Sequence, residues 1–109
     1  MNRELEHLKK MRDLLAKGWT QGTDARDASG NPTHAQSHKA ASFCPRGAAI
    51  HVSATWGLGP IKLKSLAAAL NEMSPLQGPL ETWNDSKWRT QSEVLALIDR
   101  AIEIAEAEQ

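Results

Sequence analysis

Residues 90–107 read TQSEVLALIDRAIEIAEA, and this stretch decides the fold class. Thr90 and Glu93 match the capping box, in which threonine caps a helix and glutamate bonds back to the N–H of the cap. The apolar residues that follow recur at helical spacing, so the stretch predicts a helix over 91–107. The apolar face is unusually wide, consisting of Val94, Leu95, Leu97, Ile98, Ala101, Ile102, Ile104 and Ala105. Such a face indicates either a central helix or a helix that meets a second chain, which would form a homodimer through 91–107.

Toward the N-terminus, residues 2–17 carry Leu and Met at helical spacing, with Asn2 able to cap the helix and Gly18 to end it. Gly22, Gly30 and the Asn31-Pro32 pair indicate a short β-hairpin or an ordered loop near residues 19–33.

Three further helices are predicted in the middle of the chain, over 35–43, 45–56 and 61–73. Proline suits the first turn of a helix, so Pro45 separates the first two. Residues 57–60 and 74–81 are rich in glycine and proline and are expected to be a turn and a loop. Residues 1–109 are therefore expected to form a single compact domain, mainly α, with four to five helices.

Composition excludes several classes of protein. The 109 residues include 13 Lys and Arg and 13 Asp and Glu, and this balance argues against a nucleic-acid partner, because such binders usually carry a basic excess. A single cysteine excludes an internal disulfide. No apolar run approaches the roughly 20 residues that span a bilayer, so we expect no membrane association and a cytoplasmic location. No cofactor is predicted.

Five short motifs follow one another in the chain: Trp19-x-x-Gly22-x-x-Ala25-Arg26-Asp27-x-x-Gly30, Phe43-Cys44-x-x-Gly47-Ala48, Trp83-Asn84-Asp85, Glu93-Val94-Leu95 and Asp99-Arg100-Ala101. In this order they resemble a family of small proteins of unknown function encoded by bacteria and their phages. The resemblance implies a shared fold and no particular activity.

Cys44 is the sharpest candidate for chemistry. As the N-cap of a helix beginning at Pro45, its thiolate would be favoured by the helix dipole. His51 lies about 10 Å further along the same helix and cannot serve as its base. A catalytic set would have to be completed by His38 and Asp85, or by His34 or His7. The alternative is a small buried apolar residue.

His34 and His38 are four residues apart, a spacing that suits a metal ion if both lie on one helical face. The segment reads equally well as a loop with two solvated histidines, and we predict no metal site.

Three pairs of polar residues are expected to come together near Trp83: Arg26-Asp27, Asn84-Asp85 and Asp99-Arg100. In one interpretation, Arg26 pairs with Asp85 or Asp99 and holds the 19–33 segment on the last helix. In the other, these residues line a binding pocket. The predicted binding residues are Arg26, Asp27, Trp83, Asn84, Asp85 and Trp88, the last suited to a binding hot spot.

Two functional hypotheses follow. The first is a non-enzymatic bacterial or phage accessory protein that acts by protein–protein binding, for instance as an inhibitor of a host defence complex. The second is a small cysteine-dependent or metal-assisted hydrolase centred on Cys44.

Overall fold

The structure is a computed structural model that describes residues 3–57, 62–75 and 78–108. This part of the chain contains five helices and a three-stranded antiparallel sheet, so the mainly α fold class is confirmed. In chain order the elements are α1 (Arg3–Lys17), β1 (Ala25–Asp27), β2 (Pro32–Thr33), β3 (Ala40–Phe43), α2 (Pro45–Thr55), α3 (Lys64–Met73), α4 (Leu80–Asn84) and α5 (Gln91–Ala107).

Helix α5 is the centre of the fold. It begins with the predicted capping box, in which Thr90 and Glu93 bond to each other's backbone N–H. One side of α5 packs against α1 and another against α3. Because two helices cover α5, its wide apolar face is accounted for within the chain. Dimerisation through this helix stays a prediction.

A contact between distant residues starts α3. Leu63, at the N-cap position, has no side-chain group that could cap the helix. The N–H groups of the first turn lack an acceptor within the helix and need one from elsewhere. The buried carboxylate of Glu4 accepts hydrogen bonds from the Ser65 N–H at 2.9 Å and the Ser65 hydroxyl at 2.8 Å. Helix α1 therefore supplies the cap that α3 lacks.

The predicted hairpin is also confirmed. Strand β1 lies between β2 and β3 and pairs with both in antiparallel fashion. The Asp27 carboxylate accepts hydrogen bonds from the N–H groups of Ser29 and Asn31, which satisfies the backbone of the turn between β1 and β2.

The prediction of a helix over 35–43 is wrong. Residues 40–43 form β3, and Phe43 pairs with Ala25 of β1. The alanine content of the segment favours helix, but the edge of β1 offers its backbone partners, and this tertiary contact overrides the propensity.

Other boundaries differ by less. Helix α3 begins at Lys64 rather than near 61, and residues 80 and 81, predicted as loop, belong to α4. Asn2, most of the 57–60 turn and Ile61 lie outside the described residues. None of the helices in the described ranges combines the length and apolar character needed to cross a bilayer.

Candidate binding site

The side chain of Asn84 joins two of the predicted motifs. It is fully buried at the end of α4, and its Oδ1 accepts a 2.8 Å hydrogen bond from Nε1 of Trp19. Its Nδ2 donates to the Thr20 carbonyl at 3.2 Å and to Oδ1 of Asp85 at 3.0 Å. Donors and acceptor of the amide are thus all paired, as a buried polar group requires.

Neighbouring groups extend this contact. Nε2 of Gln21 donates to the carbonyls of Asn84 at 2.7 Å and Ser86 at 2.9 Å. The N–H of Gly22 donates to the Asp85 carboxylate at 3.0 Å. Residues 19–22, which follow α1, are thereby fixed on α4, although the two segments are more than 60 residues apart in sequence.

Arg26 supports the hairpin instead of α5. Its guanidinium donates to Thr20 Oγ1 at 2.7 Å and to the carbonyls of Gln21 and Gly30, each at 3.1 Å. The predicted ion pair between Arg26 and Asp85 or Asp99 is wrong for these described residues. Asp99 pairs instead with Arg12 at 2.6 Å.

Cys44 is the N-cap of α2, as predicted, and its Sγ accepts a 3.2 Å hydrogen bond from the Gly47 N–H. The S–H group lies 3.7 Å from Oδ1 of Asp24. Burial raises the pKa of the thiol to about 11, and the nearby Asp24 carboxylate acts in the same direction. The backbone N–H groups of Gly47 and Arg46 at the helix N-terminus lower the pKa, as expected, but desolvation outweighs them.

The four histidines of the chain have other surroundings. His7 Nε2 lies 3.2 Å from the Ala49 carbonyl oxygen, and His51 Nδ1 lies 2.6 Å from that of Ala35. His34 and His38 are exposed on the segment before β3. Within the ranges that the structure describes, no three His, Cys, Asp or Glu side chains are arranged to hold a metal ion.

A cleft of about 380 Å³ opens beside Cys44, lined by Gly22, Thr23, Asp24, Cys44, Arg46, Glu81 and Asp85. Arg46 contributes a guanidinium to this cleft. That group is already paired with the Asp24 carboxylate, with N–O distances of 2.7 and 2.9 Å. The pKa of the thiol is thus raised by burial, and the cation nearest to it is already paired with a carboxylate, whereas activated cysteines have a lowered pKa.

The raised pKa of Cys44 predicts that its thiol is alkylated slowly in the native protein. At pH 7.5 we expect iodoacetamide to label the native thiol at least about tenfold more slowly than in urea-unfolded chain, because alkylation requires the thiolate. The rate should be followed by mass spectrometry. Labelling as fast in the native protein as in the unfolded chain would contradict the buried, protonated thiol.

The loop between α4 and α5 carries the exposed tryptophan Trp88. Trp83 is buried, and the guanidinium of Arg89 lies 3.9 Å from its ring centroid while Nε donates to the Trp83 carbonyl at 2.9 Å. Trp88, in contrast, is 82% exposed. A second cleft, of about 290 Å³, opens beside this loop and is lined by Met73, Trp83, Arg89, Glu93 and Ala96.

The model of one protein family, the family of unknown function DUF6197, matches residues 1–104. The chain belongs to this family. Comparisons with curated proteins and with solved structures give no match. The resemblance to a family of unknown function is thus confirmed, and DUF6197 membership assigns no activity.

Of the predicted binding residues in this DUF6197 member, Asn84 and Asp85 both contact residues 19–22. Arg26 and Asp27 make hydrogen bonds within the hairpin. Trp88 is exposed to solvent. Sequence reasoning missed Arg46 and Gln21, and it did not predict the pairing of Asp24 with Arg46. Asp24 and Arg46 had no local signal, because they are paired across 22 residues. Gln21 lies inside the first motif, at a position that the motif leaves open.

Proposed function

We propose that the chain is a non-catalytic accessory protein that acts by binding another protein, with Trp88 as its principal anchor. The observation that carries this proposal is the 82% exposure of an indole side chain on a short loop between two helices. Tryptophan is enriched among the residues that dominate binding energies, because it buries a large rigid surface.

The loop that presents Trp88 is held by its own contacts. The Arg89 N–H donates to the Ser86 carbonyl at 3.0 Å, and that same carbonyl accepts from Gln21 at 2.9 Å. Arg89 stacks on buried Trp83, and its Nη1 lies 3.3 Å from Glu93 on α5. An anchor on a preorganised loop loses little conformational entropy when it binds.

Charge indicates the chemistry of the partner. Lys87 Nζ lies 5.1 Å from the Trp88 ring centroid, so the exposed indole is bordered by a cation. We therefore propose a partner surface with an apolar pocket for the indole and a carboxylate at its rim. The resemblance to bacterial and phage proteins makes a bacterial protein, for instance a subunit of a host defence complex, the first partner to test.

The experiment compares Trp88→Ala with Trp56→Ala, since Trp56 is the other exposed tryptophan in the described ranges, at 43%. Partners are captured from lysate of the source cell on each variant, and the dissociation constant of a purified partner is then measured. We expect Trp88→Ala to weaken binding at least about 30-fold, the size of a hot-spot loss of 2 kcal/mol.

Trp88→Ala should unfold within about 0.5 kcal/mol of the original chain, because the side chain is exposed, whereas Trp56→Ala should lose more stability, because its ring contacts Lys10 and His51. Equal affinity of the Trp88→Ala variant and the original chain would refute the proposal, and so would an equal loss in both tryptophan variants.

A further inference from the structure

His7 is a titratable side chain enclosed in the contact between α1 and α2. The residue is 1% exposed, and its Nε2 lies 3.2 Å from the carbonyl oxygen of Ala49 on α2. A carbonyl can only accept, so Nε2 carries the hydrogen whether the ring is neutral or protonated, and burial favours the neutral ring. Nδ1 then bears the lone pair, and it is buried without a hydrogen-bond partner. A proton added at Nδ1 would create a buried, unpaired cation.

The surroundings offer this cation no compensation. Burial is the main cause that lowers the pKa of His7, and the positive charge of Arg3, one turn earlier on α1, lowers it further. Several other charged or titratable groups on the packed elements have partners elsewhere: Glu4 with Ser65, Lys10 with Glu6 and the Trp56 ring, Arg12 with Asp99, Arg46 with Asp24, His51 with Ala35, and Arg100 with Glu72. The remaining ones on α1 and α5, Lys9, Asp13, Lys17, Glu93, Glu103 and Glu106, make no hydrogen bond to Nδ1 of His7. Strand β3, which also contacts α1, contains no titratable side chain.

We propose that His7 makes the contact between α1 and α2 pH-sensitive, so that uptake of one proton at Nδ1 in mildly acidic solution opens it. When the contact opens, water reaches the ring and can solvate the imidazolium. Opening also uncovers Ala48 and Val52 of α2, which are fully buried in the closed state. This pH-dependent opening does not involve Trp88 and would occur whatever partner Trp88 binds.

The direction of the effect follows from linkage. The pKa of His7 lies below 6.5 in the closed state and returns toward 6.5 when the ring is solvated. The contribution of neutral His7 is complete above about pH 6.5 and is lost as the pH falls from there toward the pKa of the closed state. Because one proton is involved, the opening constant rises at most about tenfold per pH unit in that window.

Native-state hydrogen exchange at the backbone amides of α1 and α2, corrected for intrinsic rates, measures this constant between about pH 4.5 and pH 8, a range that brackets the ordinary histidine pKa of about 6.5. We expect protection to fall steeply below pH 6.5 in the original chain. His7→Gln should abolish most of that slope, because its amide N–H can still donate to Ala49 but does not titrate. The matched control is His38→Gln, an exposed histidine, which should leave the slope unchanged.

A pH-independent opening constant in the original chain would overturn the proposal, and so would the same slope in the His7→Gln variant. Should that variant fail to fold, NMR titration of the four histidine Cε1–H signals in the original chain decides instead. A pKa at or above 6.5 for His7 overturns the proposal, and a pKa below 6.5, with α1 amides losing protection over the same range, supports it.

Discussion

Replacing Gly47 with alanine is expected to destabilise the fold by about 3 kcal/mol, although alanine is the better helix former by about 1 kcal/mol. Gly47 lies in the first turn of α2, against the backbone of Asp24. A Cβ atom at this position would overlap the Asp24 carbonyl oxygen and lie 2.7 Å from the carbonyl carbon. The same carbonyl accepts the Cys44 N–H at 3.1 Å, so the two segments cannot separate without losing that bond.

Urea unfolding followed by tryptophan fluorescence measures this change. The control is Gly30→Ala: Gly30 has a φ of 88°, and a Cβ there would meet nothing within 4 Å. Backbone strain alone should cost about 1 to 2 kcal/mol. If Gly47→Ala stabilised the protein, as helix propensity alone predicts, the close approach of Asp24 to α2 would be disproved.

The exchange of Asn84 for aspartate should have a comparable effect, about 3 kcal/mol at neutral pH. The substitution retains the acceptor for Trp19 but removes the N–H groups that donate to Thr20 and Asp85. A carboxylate would then face a carbonyl oxygen and a second carboxylate in a buried place. Burial and the like charge raise the pKa of the introduced carboxyl, so the loss of stability should shrink as the pH is lowered.

Asn71→Asp is the matched control, because it makes the same chemical change at an exposed position of α3. We expect that variant to stay within about 0.5 kcal/mol of the original chain across the same pH range. Equal stability curves for Asn84→Asp and Asn71→Asp would contradict the role of Asn84 as a buried, fully bonded amide.

Local sequence signals predicted the elements whose causes are local. Thr90 and Glu93 lie three residues apart, and the capping box they form is visible in the printed sequence. The hairpin turn at Asp27 is likewise determined by neighbours. Strand β3 could not be found in this way, because the partner that makes it extended is Ala25, earlier in the chain.

The candidate site shows the same division. Trp88 lies outside the helices predicted from the sequence, and the structure places it in the loop between α4 and α5. The pairing of Arg26 was predicted wrongly because charge alone does not say which of several acceptors lies closest. The interpretation of Cys44 as a small buried residue is confirmed.

The contacts of α5 have a consequence for the order of events during protein synthesis. Arg12 pairs with Asp99 across 87 residues, and Gln91 donates to the Leu15 carbonyl across 76. Helix α1 therefore emerges from the ribosome long before the surface it packs against exists. The contacts between α1 and α5 cannot form until residues 91–107 have been made, so for most of translation the face of α1 that packs on α5 stays uncovered.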